Sequence, residues 1–260
     1  MPLIDTHAHL FLKEFSTDLK DIVSRAQNAG VFKILMPNID SGTVDDLLKT
    51  EAMYPEICFP MIGLHPCSVN AHWEKEIQVV SAWLSKKKFV AIGEVGLDLH
   101  WDKTTFEWQK EALTFQIHFA KKYNLPLVLH TRNAINETLD IIIQNHFSGM
   151  KGVFHCFSGS EEQAKKIIEL GFFLGIGGVL TFKNSGLSES LKNIPLSAMV
   201  LETDSPYLAP VPFRGKRNEP AYLVYVLKKL SEIKGGNEEE MARIIFDNTI
   251  KLFSNKCFKK

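Results

Sequence analysis

Two histidines one residue apart near the start of the chain, His7 and His9, have the chemistry and spacing of metal ligands. The neutral imidazole nitrogen is the commonest metal-binding group among protein side chains. Because side chains alternate between the two faces of an extended strand, His7 and His9 share one face and can converge on one cation. A lone pair of this kind is often incidental, so it indicates a metal site only if further ligands occur elsewhere.

Further residues with ligand chemistry do occur, and each closes a short apolar run. They are Glu94, His130, His155 and Asp204. The runs are rich in Val, Ile, Leu and Phe and are bounded by Gly or Pro, which is typical of parallel strands buried on both faces. Polar groups at the ends of buried strands are costly unless they are satisfied. One shared metal centre would satisfy all of them, whereas otherwise each needs a separate hydrogen-bond partner.

The elements that would position these residues alternate along the chain. The apolar runs predict eight strands at residues 3–6, 32–36, 58–64, 89–95, 125–130, 152–156, 172–177 and 199–202. Apolar spacings of three and four predict helices between them at residues 18–29, 44–53, 76–86, 105–123, 134–145, 161–170 and 187–193. Two further helices, at 220–233 and 238–253, follow the last strand.

Eight strands alternating with helices in 260 residues predict an α/β fold, a (β/α)8 TIM barrel with C-terminal helices. An open doubly wound sheet is the competing arrangement. The barrel is favoured because the ligand residues come from the first, fourth, fifth, sixth and eighth strands, and only a closed ring places the first beside the eighth. Active sites of such barrels lie at the C-terminal ends of the strands, where we expect all six residues.

Composition and length bound the remaining possibilities. A chain of 260 residues with 45% hydrophobic content could form two modest domains or one barrel, and the absence of a linker or low-complexity tract predicts a single domain over residues 1–260. No basic and apolar leader and no run of ~20 apolar residues occurs, so we expect no membrane partner and a cytoplasmic location. The cysteines lack zinc-type spacing and are expected to be free thiols: Cys58, Cys67, Cys156 and Cys257.

The motifs together resemble those of the TatD-like metal-dependent hydrolases, which have amidohydrolase-type barrels. The resemblance rests on Asp5 to Leu10, Gly63 to Pro66, Gly93 to Asp98, His130 to Arg132, His155 to Gly159, Leu201 to Pro206 and Arg214 to Pro220. It implies a deoxyribonuclease-type phosphodiesterase that uses divalent cations. It also implies the set of metal ligands: His7, His9, Glu94, His130, His155 and Asp204.

Six ligands exceed the need of one catalytic metal, which usually takes three protein ligands and keeps an open position. We therefore predict two divalent cations, one held by His7, His9 and Asp204 and the other by His130 and His155, with Glu94 bridging both. Asp204 is also the predicted general base for a metal-activated water, although a plain ligand or a helix cap remains open. Histidine ligation favours Zn, Mn or Ni, while the carboxylates and a phosphate substrate admit Mg.

Four residues are expected around this centre. Arg132 either holds a phosphate oxygen or is a solvated surface arginine. His65 donates to phosphate, orders the metal shell or anchors the turn at Pro66. Arg214 begins a basic run that either binds phosphates at the end of a DNA strand or forms a solvated loop. Glu202 shares the inward face of Asp204 and orients a ligand histidine.

Aromatic residues after Asp98 give one further expectation. Trp101 and Phe106 could stack on a base, with ordinary loop packing as the favoured alternative.

Net charge limits the size of any nucleic-acid contact. The chain has 30 basic and 30 acidic residues, unlike a protein that grips long duplex DNA. The leading hypothesis is therefore an exonuclease-type enzyme that acts on DNA ends or short nucleic acids, without an obligate protein partner. Hydrolysis of an ester, lactone or amide on the same bimetallic barrel is the alternative, and a non-catalytic metal-retaining scaffold is a third.

Overall fold

The computed structural model describes residues 2–253. Its eight strands are β1 (Leu3–Asp5), β2 (Val31–Met36), β3 (Cys58–Pro60), β4 (Ile92–Asp98), β5 (Leu127–Arg132), β6 (Gly152–Phe154), β7 (Phe173–Ile176) and β8 (Met199–Leu201). The α-helices are α1 (Leu19–Asn28), α2 (Val44–Met53), α3 (Trp73–Lys86), α4 (Phe106–Tyr123), α5 (Ile135–Gln144), α6 (Glu161–Glu169), α7 (Leu187–Leu191), α8 (Leu223–Lys234) and α9 (Glu238–Phe253).

The strands are parallel and form a closed ring. Strands β1 to β3 pair in order, as do strands β4 to β8. Parallel bridges join the two groups at both seams, Ile62 with Ile92 and Ala8 with Ser205. The backbone N–H of Thr6 also donates to the carbonyl of Leu201 at 3.1 Å. The predicted barrel is therefore confirmed, and the first and eighth strands are neighbours.

The barrel interior is filled by alternate residues of the strands. One buried apolar cluster includes residues of seven strands and the end of α9: Ile4, Leu35, Phe59, Val128, Val153, Phe173, Val200, Leu252 and Phe253. A larger cluster joins the opposite strand faces to the apolar faces of the helices. Because side chains alternate along a strand, one set of buried strands supplies both layers of the core.

Two strands extend further at their C-terminal ends than the sequence predicts. Strand β4 covers Ile92–Asp98 rather than residues 89–95, and β5 ends at Arg132 rather than at residue 130. Glu94 and His130 therefore lie inside strands, and the expectation that they close their strands is wrong. The register of β4 and β5 shifts between Ile92 and Val95, around Glu94, and regular pairing then continues through Asp98 and Arg132.

The helices follow the predicted pattern, although α3 begins at Trp73 rather than at residue 76 and α7 ends at Leu191 rather than at residue 193. The segment predicted as one helix over 220–233 begins with a 3-10 turn at Pro220–Tyr222 before α8. In residues 2–253, no helix combines the length and apolar character that crossing a membrane requires. Cys58, Cys67 and Cys156 are free thiols, as expected, and Cys257 lies outside the described residues.

Candidate metal centre

Glu94 lies at the centre of the polar cluster, buried on β4 with 2% of its surface exposed. Its two carboxylate oxygens face different histidines. Oε2 lies 3.1 Å from Nε2 of His7 and 3.6 Å from Nε2 of His9. Oε1 lies 2.8 Å from Nδ1 of His130 and 2.9 Å from Nε2 of His155. The carboxylate therefore lies between two pairs of imidazoles, which is the arrangement of a bridging ligand.

His7 and His9 follow β1 rather than lying in it, because that strand ends at Asp5. The bridge between Ala8 and Ser205 keeps the segment extended, so the two rings still reach the same side. Their Nε2 atoms are 3.2 Å apart. A cation between these two buried nitrogens and the facing carboxylate would satisfy all three groups at once. The donor set therefore fits a divalent metal.

Asp204 completes the group around His7 and His9. Its Oδ1 lies 3.7 Å from Nε2 of His7 and 3.6 Å from Nε2 of His9. The residue has a left-handed backbone with φ of 60°, and its N–H donates to the carbonyl of His7 at 2.9 Å. Such a conformation costs of order 1–3 kcal/mol for a residue other than glycine and is typical of functional sites.

His130 is held from both sides. Its Nε2 lies 2.8 Å from Oδ2 of Asp98, opposite the contact between Nδ1 and Glu94. When Nε2–H donates to Asp98, the lone pair on Nδ1 points at an anionic oxygen, which is favourable only with a proton or a cation between them. Asp98 was not predicted as a site residue. Its position four residues after Glu94 on the same strand face is the signal that would have identified it.

Glu202 is fully buried beside His155, as the sequence predicts for a residue that orients a ligand. Its Oε1 lies 3.3 Å from Nδ1 of His155 and accepts the N–H of Cys156 at 2.5 Å. A Cβ on Gly175 would lie 2.3 Å from Oε2 of Glu202. The glycine therefore makes the room that this carboxylate occupies.

His65 has two contacts that match two of the expectations for it. Its Nδ1 accepts the N–H of Cys67 at 3.0 Å, which anchors the turn at Pro66. Its Nε2 lies 3.4 Å from Oε1 of Glu94. Because Nδ1 accepts, the neutral ring carries its proton on Nε2 and faces the centre as a hydrogen-bond donor.

Asp5 is a second residue that sequence reasoning missed. It is fully buried, and its Oδ1 accepts the N–H of His7 at 3.2 Å and the N–H of Thr203 at 2.9 Å. Burial raises the pKa of this carboxyl group to about 8, although hydrogen bonds with Thr203 oppose the shift. Asp5 thus ties together the segments that carry His7 and Asp204.

The electrostatics of the cluster keep its carboxylates ionised. Burial alone would raise the pKa of Glu94, but interactions with His155, His65, His7 and His130 outweigh it and hold the pKa well below its usual range. Burial likewise opposes ionisation of Asp204, whose pKa is nevertheless lowered by the neighbouring imidazoles of His9, His155 and His7. Ionised carboxylates are the form that a metal binds.

The predicted substrate arginines lie outside this cluster. The guanidinium of Arg132 stacks on Trp101, with Cζ 5.3 Å from the ring centroid. Arg214 is exposed and stacks on Phe182 at 4.6 Å. Within the same basic run, Arg217 forms an ion pair with Asp18 at 2.5 Å. That arginine has a structural role, linking the segment after β8 to the start of α1.

Comparisons with known proteins agree with this geometry. The sequence model of the family described as TatD related DNase matches residues 4–254. The uncharacterized metal-dependent hydrolase YabD of Bacillus subtilis is 38% identical over 252 residues, which cover 96% of this chain and 98% of YabD. The uncharacterized metal-dependent hydrolase YjjV of Escherichia coli is 34% identical over 254 residues, covering 96% of this chain and 97% of YjjV.

Solved structures show the same similarity. The crystal structure of YjjV, a TatD homologue from Escherichia coli, superposes with a TM-score of 0.91 at 32% identity and covers 96% of this chain and 97% of that one. A TatD family hydrolase from Entamoeba histolytica has a TM-score of 0.83 at 21% identity, with 98% of both chains covered. At 21% identity, the similarity to the Entamoeba histolytica protein concerns the fold alone.

Proposed function

The chain belongs to the TatD-related DNase family of metal-dependent hydrolases, and from that membership we propose that it is a deoxyribonuclease that shortens DNA from its ends. The observation that carries the proposal is the position of Glu94 between two pairs of imidazoles. Two divalent cations held about 3.5 to 4 Å apart suit the in-line displacement of a phosphodiester. Glu94, which offers one oxygen to each pair of imidazoles, would help to hold a cation on each side.

We propose His7, His9 and Asp204 as ligands of one cation and His130 and His155 as ligands of the other. A divalent cation in each position would supply Lewis acidity to the phosphodiester and make hydroxide accessible near neutral pH. The ring nitrogens favour Zn, Mn or Ni over Mg as the resident ion, while a phosphate substrate adds oxygen ligands that admit Mg.

The surrounding residues have roles that follow from their contacts. Asp204 is ionised and lies at the cluster, where 14% of its side chain remains exposed, so it can accept a proton from an attacking water. The Nε2–H of His65 faces the same centre and can donate to a non-bridging phosphate oxygen. Glu202, whose Oε1 lies 3.3 Å from Nδ1 of His155, can orient that ring.

The charge balance supports a small substrate footprint. With 30 basic and 30 acidic residues, the chain lacks the excess positive charge with which proteins bind many phosphates of a duplex. In addition, Arg217 is engaged by Asp18. Contact with one or two nucleotides at a strand end agrees with this surface better than contact along a duplex.

The test is hydrolysis of an end-labelled single-stranded oligonucleotide by metal-stripped enzyme, with Mg, Mn, Zn or Ni restored separately. Stepwise shortening that requires the metal and is lost in Asp204→Ala supports the proposal. Failure of the metal-replete enzyme to cleave DNA overturns it. Metal-dependent turnover of an ester, lactone or amide in that case would identify the alternative chemistry.

A further inference from the structure

Trp101 is an exposed indole close to the candidate metal centre. It lies in the segment between β4 and α4, and 68% of its surface is exposed, whereas tryptophan is on average a highly buried residue. The hydrophobic core does not cover the indole. Ordinary loop packing therefore does not account for the exposure of most of the ring. The exposed surface of the ring is large enough to carry a planar ligand.

The backbone fixes Trp101 relative to the centre. Oδ1 of Asp98 accepts the N–H of His100 at 2.8 Å and the N–H of Trp101 at 3.0 Å. Oδ2 of the same carboxylate contacts Nε2 of His130 at 2.8 Å. One buried side chain therefore holds both the histidine of the centre and the base of the loop that presents the indole.

The guanidinium of Arg132 lies against the ring of Trp101. Arg132 pairs in register with Asp98, and it lies two residues after His130, on the same face of β5. Its Cζ is 5.3 Å from the ring centroid of Trp101. Among residues 2–253, no carboxylate forms an ion pair with this guanidinium, so its charge is available to a phosphate.

We propose that Trp101 and Arg132 form a stacking platform for the nucleotide next to the scissile phosphate of a single-stranded DNA end. The indole stacks on the base and the guanidinium pairs with its phosphate, the combination with which proteins hold single strands without sequence preference. Inside a duplex the base faces are covered by their neighbours, so an unpaired base suits this contact best. This inference rests on the proposed function and adds the residues that hold the nucleotide beside the site.

The test compares two oligonucleotides of equal charge on the full-length, metal-replete protein. One carries thymine at its terminal positions and the other carries tetrahydrofuran abasic residues there, and phosphorothioate linkages in both resist hydrolysis. Dissociation constants come from fluorescence titration. Trp101→Phe identifies which part of the fluorescence change belongs to this ring. Trp108→Ala is the matched control, since Trp108 is 40% exposed on α4 and has no part in the proposed platform.

We expect the wild type to bind the thymine end about tenfold more tightly than the abasic end. Trp101→Ala removes that preference, Trp101→Phe keeps most of it, and Trp108→Ala keeps all of it. Arg132→Gln weakens binding of both oligonucleotides and reduces its salt dependence. A wild type without the preference, or a Trp101→Ala variant that retains it, overturns the inference.

Cleavage of unmodified DNA is scored separately, so that the two proposals can fail independently. DNA shortening without a base preference contradicts the platform alone. A base preference that depends on Trp101, in an enzyme that leaves DNA intact, contradicts the proposed deoxyribonuclease and supports the platform.

Discussion

Asp98 and His130 form a partly buried hydrogen bond in which Oδ2 of the carboxylate lies 2.8 Å from Nε2 of the ring. The contact orients His130 so that Nδ1 faces Glu94, and it raises the pKa of the imidazole against the opposing effect of burial. The same carboxylate has its own pKa lowered, because hydrogen bonds from His130 and the following loop outweigh its partial burial. A carboxylate behind a ligand histidine commonly increases the basicity of that ligand.

Substitution Asp98→Asn is expected to lower metal affinity or activity by about 10- to 100-fold. If the new amide oxygen still accepts the N–H groups of His100 and Trp101, the amide NH2 faces Nε2 of His130. This donor opposes the tautomer of His130 that carries its proton on Nε2. Metal titration and oligonucleotide kinetics check this expectation. Asp102→Asn is the control, since Asp102 is an exposed carboxylate of the same loop that bonds only to Thr104 among the described residues. Equal losses in both variants would refute a specific role for Asp98.

Substitutions Glu94→Ala and Asp204→Ala are expected to abolish activity while the barrel remains folded. Both side chains contact the imidazoles of His7 and His9 and are removed without disturbing the apolar clusters. Loss of a direct ligand should exceed the 10- to 100-fold effect of losing an outer partner. Bound metal is measured together with turnover and circular dichroism. Wild-type activity in both variants under metal-replete conditions would contradict the bimetallic centre.

Substitution Gly96→Ala is expected to destabilise the fold by about 2 kcal/mol or more. Gly96 has φ of 140°, and a Cβ there would lie 2.1 Å from the carbonyl oxygen of His130, so β5 must move. Gly42→Ala serves as control because its Cβ would meet only Asp40 Oδ1 at 3.3 Å, and we expect a change within about 0.5 kcal/mol. Chemical unfolding measures both variants. A Gly96→Ala protein as stable as the wild type would disprove the close approach.

The thiol of Cys67 is expected to react slowly although the residue is exposed. Partial burial of the sulfur, the charge of Asp98 and a hydrogen bond with that carboxylate raise its pKa to about 12. A raised pKa reduces the thiolate fraction, so alkylation should accelerate about tenfold per pH unit from pH 8 to 10. Asp98→Asn should lower the pKa and speed the reaction at pH 8. Peptide mapping of alkylated protein reports the rate, and a rate that levels off near pH 9 would contradict the assignment.

Helices and strands were predictable from the sequence where the apolar pattern and the residues that mark the ends of the element indicate the same bounds. Helix α9 has the predicted bounds, Glu238–Phe253, because acidic residues mark its first turn and apolar residues recur at helical spacing. Strand β4 begins three residues later than predicted. The apolar run that starts at Phe89 is buried throughout, and a continuously buried run carries no periodicity that would mark where the strand begins.

The six predicted ligand residues converge in the structure, whereas two of the residues that support them were not predicted. Asp98 was not predicted because Glu94 is the first polar residue after that apolar run and Asp98 lies four residues beyond it. Asp5 belongs to the first motif, but its role depends on a hydrogen bond to Thr203, 198 positions away in the chain. Contacts of that kind depend on ring closure, which spacing along the sequence does not encode.

The seam between β1 and β8 determines when the candidate metal centre can assemble during synthesis. His7 leaves the ribosome early, yet its partner Asp204 emerges only after all eight strands have been made. Contacts between such distant segments form late in folding because their loop entropy must first be overcome. Nascent and partly folded chains thus lack an assembled centre. The cluster that joins His7 to Asp204 therefore cannot assemble before the eighth strand has been made.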